Sequence, residues 1–89
     1  MEIVVVGCGK VGKTLVEHLA MEGHNVVVID TNQKNVEEIV NSYDVMGICG
    51  NGAIHDIQME AGVNKADLFI SVTSSDEVNL ISCLIARKI

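Results

Sequence analysis

The chain has 89 residues, a formal net charge of −6, three cysteines and no proline. Its acidic balance argues against nucleic acid as the main partner, because neutralising phosphates requires clustered lysine and arginine. No apolar run approaches the roughly 18 residues that cross a bilayer. Glu2 opens a strand rather than a basic leader, so we expect no signal peptide. The composition therefore predicts one small domain, which buries about 60–65% of its unfolded surface.

The cysteines and histidines do not form a recognisable metal or disulfide pattern. Cys8, Cys49 and Cys83 are scattered, odd in number and contain no C-x-x-C pair. The three histidines are also widely spaced. We therefore expect reduced thiols of a cytosolic protein and no metal site.

In chain order, the first predicted elements are a strand, a tight turn and a helix. Glu2–Val6 is an apolar, β-branched run, which predicts a strand. Apolar residues then recur at helical spacing and predict a helix from about Lys10 to Glu22, ended by Gly23. The turn between them reads G-x-G-x-x-G and consists of Gly7, Cys8, Gly9, Lys10, Val11 and Gly12.

The glycines of this turn suit a pyrophosphate site. Gly7 permits a sharp turn, Gly9 allows an anion to approach the main chain, and Gly12 lets the helix lie close to its strand. The first-turn N–H groups and the positive end of the helix dipole would face the anion. Asp30 follows the predicted strand Asn25–Ile29 and lies 18 residues after Gly12. That offset is typical of the acidic residue that binds an adenosine ribose.

The remaining predicted elements continue to alternate between helix and strand. They are a helix over about Gln33–Asn41, a strand over Asp44–Cys49, a helix over about Ala53–Ala61, a strand over Leu68–Val72 and a final helix. Ser74 and Glu77 match a capping box at the start of that last helix. The third helix is expected to turn Ile54, Ile57 and Met59 inward, and the fourth carries the apolar residues Val78, Leu80, Ile81, Leu84 and Ile85.

Four β-α units with right-handed crossovers predict an α/β fold of the Rossmann type. We expect an open parallel sheet in the order 3-2-1-4 with helices on both faces. Such sheets usually continue with a fifth and a sixth strand. Residues 1–89 are therefore expected to be one nucleotide-binding domain, cut from a longer chain, in which a partner also covers the edge of strand 4.

Small and polar residues follow every predicted strand. They are the glycine loop, Asp30, Gly50-Asn51 and Thr73-Ser74. Turns prefer such residues in any case, which is the simpler explanation. We favour a nucleotide site because the carboxyl ends of parallel strands converge on one crevice at the point where the strand order reverses.

Several motifs resemble the TrkA N-terminal family, also called KTN or RCK domains. They are the glycine loop, Asp30-Thr31-Asn32, the G-N-G-A of Gly50–Ala53, the segment Ala66–Thr73 and the T-x-x-D-E-x-N of Thr73–Asn79. The resemblance implies a cytoplasmic regulatory domain without enzymatic activity that binds NAD or NADH, or in some members ATP or ADP. It also implies a homodimer or higher homo-oligomer, which gates a membrane-embedded potassium transporter or channel through ligand-dependent subunit rearrangement.

The resemblance further implies three groups of cofactor-binding residues. The phosphate loop would comprise Gly7, Cys8, Gly9, Lys10, Val11 and Gly12. The adenosine end would be contacted by Asp30, Thr31, Cys49, Gly50 and Asn51, and the central phosphates or second sugar by Thr73 and Ser74. Lys10 is equally well explained as a surface charge. Asp30 would repel a 2′-phosphate, which disfavours NADP. Glu77 and Asn79 are expected to serve the helix cap, helix packing or a subunit contact rather than the ligand.

An alternative interpretation is the cofactor-binding half of an NAD-dependent dehydrogenase. No Ser-His-Asp set and no proton relay can be assembled from this chain, so we expect no enzyme. The later motifs favour the regulatory interpretation, whereas hydride transfer by the full-length protein would favour the alternative. The choice among NAD, NADH, ATP, ADP and AMP stays open, because Asp30 would bind the ribose of each.

Overall fold

The computed structural model describes residues 1–89, which form a four-stranded parallel sheet and four α-helices. The elements are β1 (Glu2–Val6), α1 (Lys10–Met21), β2 (Asn25–Asp30), α2 (Gln33–Ser42), β3 (Met46–Cys49), α3 (His55–Glu60), a 3₁₀ turn (Val63–Lys65), β4 (Leu68–Ser71) and α4 (Asp76–Arg87). The strand order β3-β2-β1-β4 confirms the predicted Rossmann-type sheet. None of the helices combines the length and apolar character needed to cross a membrane.

The register of the sheet aligns the carboxyl ends of its strands. Val6 of β1 pairs with Ile29 of β2 on one side and with Ser71 of β4 on the other. Asp30 pairs with Cys49 at the end of β3. The loops that leave these strands therefore start at one rim of the sheet, as the sequence predicts.

Alternating side chains of β1 supply both faces of the core. Ile3 and Val5 belong to the apolar cluster that includes Val16 of α1 and Ile39 of α2. Val4 and Val6 lie on the other face, in the cluster lined by α3 and α4. Burying each such side chain stabilises the fold by about 1.5–3 kcal/mol. The predicted placement of helices on both faces is confirmed.

The third helix differs from its prediction in length and in orientation. It begins at His55 rather than Ala53, because the Asn51 side chain accepts a hydrogen bond from the Ala53 N–H at 2.8 Å and holds the preceding residues in a turn. Ile54 and Met59 were expected in the core, but their exposed fractions are 49% and 40%. The fully buried residue of this helix is Gln58.

The start of α4 is capped one residue later than predicted. The hydroxyl of Ser75, not Ser74, accepts the hydrogen bond from the Val78 N–H at 3.2 Å. Glu77 contacts the Ser75 hydroxyl at 3.1 Å instead of reaching back to the backbone of Ser74. The cap moves because the side chain of Thr73 accepts a hydrogen bond from the Ser75 N–H and extends the loop after β4.

Part of the apolar surface of α4 faces solvent. Leu80, Ile81 and Leu84 are 63%, 47% and 48% exposed, whereas Ser82 is fully buried. The physical reason is that α4 lies over β4, the edge strand, so only one side of the helix has sheet beneath it.

Candidate functional site

A crevice of about 390 Å³ opens at the carboxyl ends of the strands. The strand order β3-β2-β1-β4 reverses its direction between β1 and β4. All four loops that follow the strands contribute to the crevice. It is lined by Val6, Gly7, Gly9, Ile29, Asp30, Thr31, Asn35, Gly50, Asn51, Gly52, Val72, Thr73, Ser74, Ser75 and Val78. This is where an open α/β sheet is expected to bind its ligand.

The glycine loop takes the shape that its three glycines were expected to allow. Gly7 has a φ of +108°, a backbone conformation that side chains disfavour, and its N–H donates to the Ile29 carbonyl at 2.8 Å. A Cβ on Gly12 would overlap the carbonyl oxygen of Gly7, so only glycine lets α1 lie this close. A Cβ on Gly9 would meet nothing within 4 Å, so the main chain there is open to an approaching ligand.

The N-terminus of α1 borders the crevice through its N-cap residue, Gly9. Its N-cap residue is Gly9, which has no side chain to accept a hydrogen bond from the first turn. The first N–H groups of a helix have no partner within the helix, and the dipole places a partial positive charge there. No lysine, arginine or histidine lines the crevice. An anion bound here would therefore be held by backbone N–H groups and by the dipole of α1.

Asp30 lies at the rim of the crevice, with each carboxylate oxygen fixed by one backbone donor. Oδ2 accepts from the Cys8 N–H at 2.6 Å, and Oδ1 accepts from the Asn32 N–H at 2.8 Å. No basic side chain forms an ion pair with it. An ionised carboxylate offers about four acceptor positions, so two remain for the hydroxyls of a ligand.

The loop after β3 forms a further part of the crevice wall. The Gly50 N–H donates to the Asp30 carbonyl at 2.9 Å, which continues the pairing of β2 and β3 into the loop. A Cβ on Gly52 would overlap the side chain of Val6, so this loop lies directly on the end of β1. Sequence reasoning missed Gly52 as a lining residue, although its place in the G-N-G-A motif was a usable signal.

The loop after β4 is shaped by Asn79, one turn into α4. Its Oδ1 accepts from the Ser71 hydroxyl at 3.0 Å and from the Thr73 N–H at 2.9 Å. Its Nδ2 donates to the Thr73 carbonyl at 3.1 Å. These bonds hold the loop that carries Thr73, Ser74 and Ser75 at the crevice. The sequence assigned Asn79 to capping or packing and gave no signal for this contact.

Most of the cofactor-binding residues expected from the sequence line the crevice. They are Gly7, Gly9, Asp30, Thr31, Gly50, Asn51, Thr73 and Ser74. The others do not line it: Cys8, Lys10, Val11, Gly12 and Cys49. Of these, Cys8 is buried behind the loop and Gly12 fills the contact between loop and helix, while the rest are exposed.

The lining residues that sequence reasoning missed fall into two kinds. Val6, Ile29 and Val72 stand at strand ends, where the sheet register brings their side chains under the crevice. Asn35, Ser75 and Val78 lie in or just before the first turns of α2 and α4, next to loops that the sequence did identify.

The fold and the crevice together define a Rossmann-type domain. The chain belongs to the TrkA-N domain family, whose model matches residues 3–89. This result confirms the resemblance drawn from the loop motifs.

Relatives of this chain are named as potassium uptake proteins. The Trk system potassium uptake protein TrkA homolog of Archaeoglobus fulgidus is 43% identical over 89 residues. The Trk system potassium uptake protein TrkA of Halomonas elongata is 38% identical over the same length. Each match covers 100% of this chain and 20% of the relative, so the chain spans about a fifth of these proteins.

Solved structures of low sequence identity share the fold. The Kef CTD of Shewanella denitrificans in its AMP-bound form superimposes with a TM-score of 0.86 at 18% identity, covering 99% of this chain and 52% of that one. The NAD(P)-binding domain of an exopolyphosphatase-related protein from Archaeoglobus fulgidus gives 0.84 at 19% identity, covering 97% and 64%. At such identities the likeness establishes the fold.

Proposed function

We propose that the crevice binds an adenine nucleotide and that Asp30 holds the adenosine ribose. The observation that carries this proposal is the orientation of Asp30. Two backbone N–H groups fix its carboxylate at the rim, beside the uncapped N-terminus of α1. Ribose hydroxyls would donate to the free positions of the carboxylate, and each bond to a charged acceptor is worth about 1.5–3 kcal/mol.

The phosphates would lie over Gly9 at the start of α1. There the backbone is open and the helix dipole favours negative charge. Thr73, Ser74 and Ser75 offer hydroxyls on the other side of the crevice. A 2′-phosphate would meet the charge of Asp30 with no basic side chain among the lining residues to neutralise it. NAD, NADH, ATP, ADP and AMP are therefore the proposed ligands, and NADP is disfavoured.

We further propose that residues 1–89 form the regulatory nucleotide-binding domain of a potassium uptake system. The TrkA names of its relatives and the AMP bound by the similarly folded Kef domain support this role. In this proposal the domain works in the cytoplasm as a homo-oligomer on a membrane-embedded potassium transporter or channel, and it catalyses no reaction. Nucleotide binding would gate transport by changing how subunits are arranged, in proportion to its difference in affinity for the two arrangements.

The binding proposal is tested by thermal shift with NAD, NADH, NADP, ATP, ADP and AMP. At least one nucleotide with a free 2′-hydroxyl should raise the Tm of the wild-type protein more than NADP does. Asp30→Ala should lose that increase, with a Kd raised roughly 10-fold to 150-fold, which is the equivalent of one charged hydrogen bond. Asp30→Asn serves as a second variant because it keeps one acceptor oxygen for the loop.

A matched control is Asp44→Ala. Asp44 is an exposed carboxylate that precedes β3, at the opposite end of the sheet from the crevice. Its removal changes the net charge by the same amount as Asp30→Ala and should leave nucleotide protection unchanged. Strongest protection by NADP, or equal loss in both variants, would contradict the role given to Asp30.

The dehydrogenase interpretation has only a likeness of fold behind it. An anaerobilin reductase from Escherichia coli O157:H7, ChuY, shares the fold with a TM-score of 0.77 at 17% identity. A likeness of this degree concerns the fold and not the activity. Reduction or oxidation of NAD by the full-length protein with any substrate would favour the enzyme over the regulatory domain.

A further inference from the structure

Gln58 is a fully buried amide in the contact between α3 and α4. Its Nε2 donates to the Gly52 carbonyl at 2.8 Å and to the Ser82 carbonyl at 2.9 Å. Both N–H groups of the amide are thus in use. One bond goes to the loop after β3 and the other to the middle of α4, so this side chain links two elements that border the crevice.

Packing alone does not explain a glutamine at this position. Its Oε1 is buried without a hydrogen-bond partner, as is the hydroxyl of Ser82. A buried polar atom without a partner is unfavourable, and the surrounding cluster on this face of the sheet is apolar. Methionine would fill a similar volume without that penalty, so what glutamine adds here is its pair of N–H bonds.

We propose that Gln58 is a positioning residue for nucleotide binding, which holds the Gly50–Gly52 loop in the shape that receives the adenosine end. Gly52 lines the crevice on one side and is bonded to Gln58 on the other. The side chain of Val6 limits its movement toward the sheet. Through Ser82, the same amide ties the loop to α4, near whose start Val78 and Ser75 line the crevice. This inference rests on the proposed nucleotide function.

The test compares the Gln58→Met and Ser82→Ala variants with the wild-type protein. The methionine variant removes both N–H donors at nearly constant volume. The alanine variant alters the same buried contact but keeps the Ser82 carbonyl that Gln58 binds. Dissociation constants are measured for NAD, NADH, ATP, ADP and AMP, at a temperature where circular dichroism reports both variants as folded. Amide hydrogen exchange follows the N–H groups of Ala53 and Ile54, which bond to Asn51 within the loop.

We expect Gln58→Met to raise the Kd of every nucleotide that binds the wild-type protein by at least tenfold and to speed exchange at Ala53 and Ile54. Ser82→Ala should stay within twofold on both readouts. If Gln58→Met does not fold, Gln58→Asn is used instead, because the shorter amide cannot reach both carbonyls.

Each other result has a definite meaning. Wild-type binding with an unchanged Kd in the glutamine variant overturns the positioning role and leaves the proposed function standing. An equal loss of affinity in Ser82→Ala also overturns it, because the effect would then belong to the α3–α4 contact in general. Failure of the wild-type protein to bind any of these nucleotides overturns the proposed function, and this inference with it.

Discussion

The backbone N–H of Cys8 donates a 2.6 Å hydrogen bond to Asp30 Oδ2, which joins the glycine loop to the end of β2. The thiol of the same residue is buried beside that carboxylate. Burial, and to a lesser extent the charge of Asp30, raise the pKa of the Cys8 thiol from 9.0 to about 12. A helix N-terminus often activates a cysteine by lowering its pKa, but here desolvation and the neighbouring carboxylate act in the opposite direction.

Cys8 is therefore expected to be inert in the folded protein. Cys49 and Cys83 are exposed, whereas Cys8 is buried. Labelling with Ellman's reagent at pH 8 should modify two thiols rapidly and the third only after unfolding in guanidinium. Cys8→Ala should leave the amplitude of the rapid phase unchanged, while Cys83→Ala should halve that amplitude. Three rapid thiols in the wild-type protein would contradict the burial of Cys8.

Gly12 and Gly9 are expected to respond differently to the same substitution. A Cβ at position 12 would overlap the Gly7 carbonyl oxygen, so Gly12→Ala forces the loop away from α1. We expect the free energy of unfolding to fall by about 1–3 kcal/mol, as it does when a core is overpacked. At position 9 a Cβ meets no atom within 4 Å, so Gly9→Ala should change stability by no more than about 0.5–1 kcal/mol.

Nucleotide affinity separates the two roles further. Gly9→Ala should raise the Kd of nucleotides while Tm stays close to wild type, because the methyl group occupies the path of the phosphates. Urea denaturation and nucleotide titration of both variants provide the measurements. Equal destabilisation by the two substitutions would mean that the loop is not packed as described.

The strand order of the sheet, and the glycine loop and Asp30 of the crevice, could be predicted from local sequence signals. Glu2–Val6 has the β-branched composition of a buried strand, and the spacing of Gly7, Gly9 and Gly12 fits a turn whose shape is set by steric limits within the loop itself. Asp30 was identifiable because it follows the second predicted strand at 18 residues after Gly12, the offset typical of a ribose-binding acidic residue. Such features depend on residues close in sequence or on one pair of strands.

The features that were missed depend on contacts between distant elements. Gln58 is buried because this side of α3 faces α4. A helix of six residues is too short for its apolar periodicity to show which side is buried. The cap moved from Ser74 to Ser75 because Thr73 competes for the backbone of the same loop. Cys49 pairs with Asp30 in the sheet, yet it does not line the crevice, and its Sγ lies 3.5 Å from the Thr31 carbonyl.

Asn79 is expected to set the shape of the loop after β4. Asn79→Ala would leave the Thr73 N–H without the acceptor that it has at 2.9 Å. A part-buried donor that loses its partner costs about 1–3 kcal/mol, and nucleotide affinity should fall because Thr73 and Ser74 line the crevice. Asn79→Asp keeps the acceptor oxygen but replaces the Nδ2 donor with an oxygen that repels the Thr73 carbonyl, so it should recover only part of the stability. Thermal unfolding and nucleotide titration measure both losses, and wild-type stability and affinity in Asn79→Ala would contradict this role.

The position of the α4 cap is tested by a pair of adjacent serines. Ser75→Ala removes the acceptor of the Val78 N–H and should lower the free energy of unfolding by about 0.5–2 kcal/mol. Ser74→Ala removes an exposed hydroxyl and should change it by no more than about 0.5 kcal/mol. Urea denaturation of both variants decides between them, since the cap predicted from the sequence alone would give the reverse order.

Glu77 makes this cap sensitive to pH. A hydrogen bond from the backbone N–H of Glu77 itself, and then one from the Ser75 hydroxyl, lower the pKa of Glu77 below its ordinary value of 4.5. The folded state therefore favours the ionised carboxylate, and its stabilising effect is complete above 4.5 and disappears as the pH falls through the lowered pKa. Glu77→Gln should thus be less stable than wild type at pH 7, and the difference should shrink as the pH falls below 4.5. A difference in unfolding free energy that is constant over this range would exclude a charge-dependent cap.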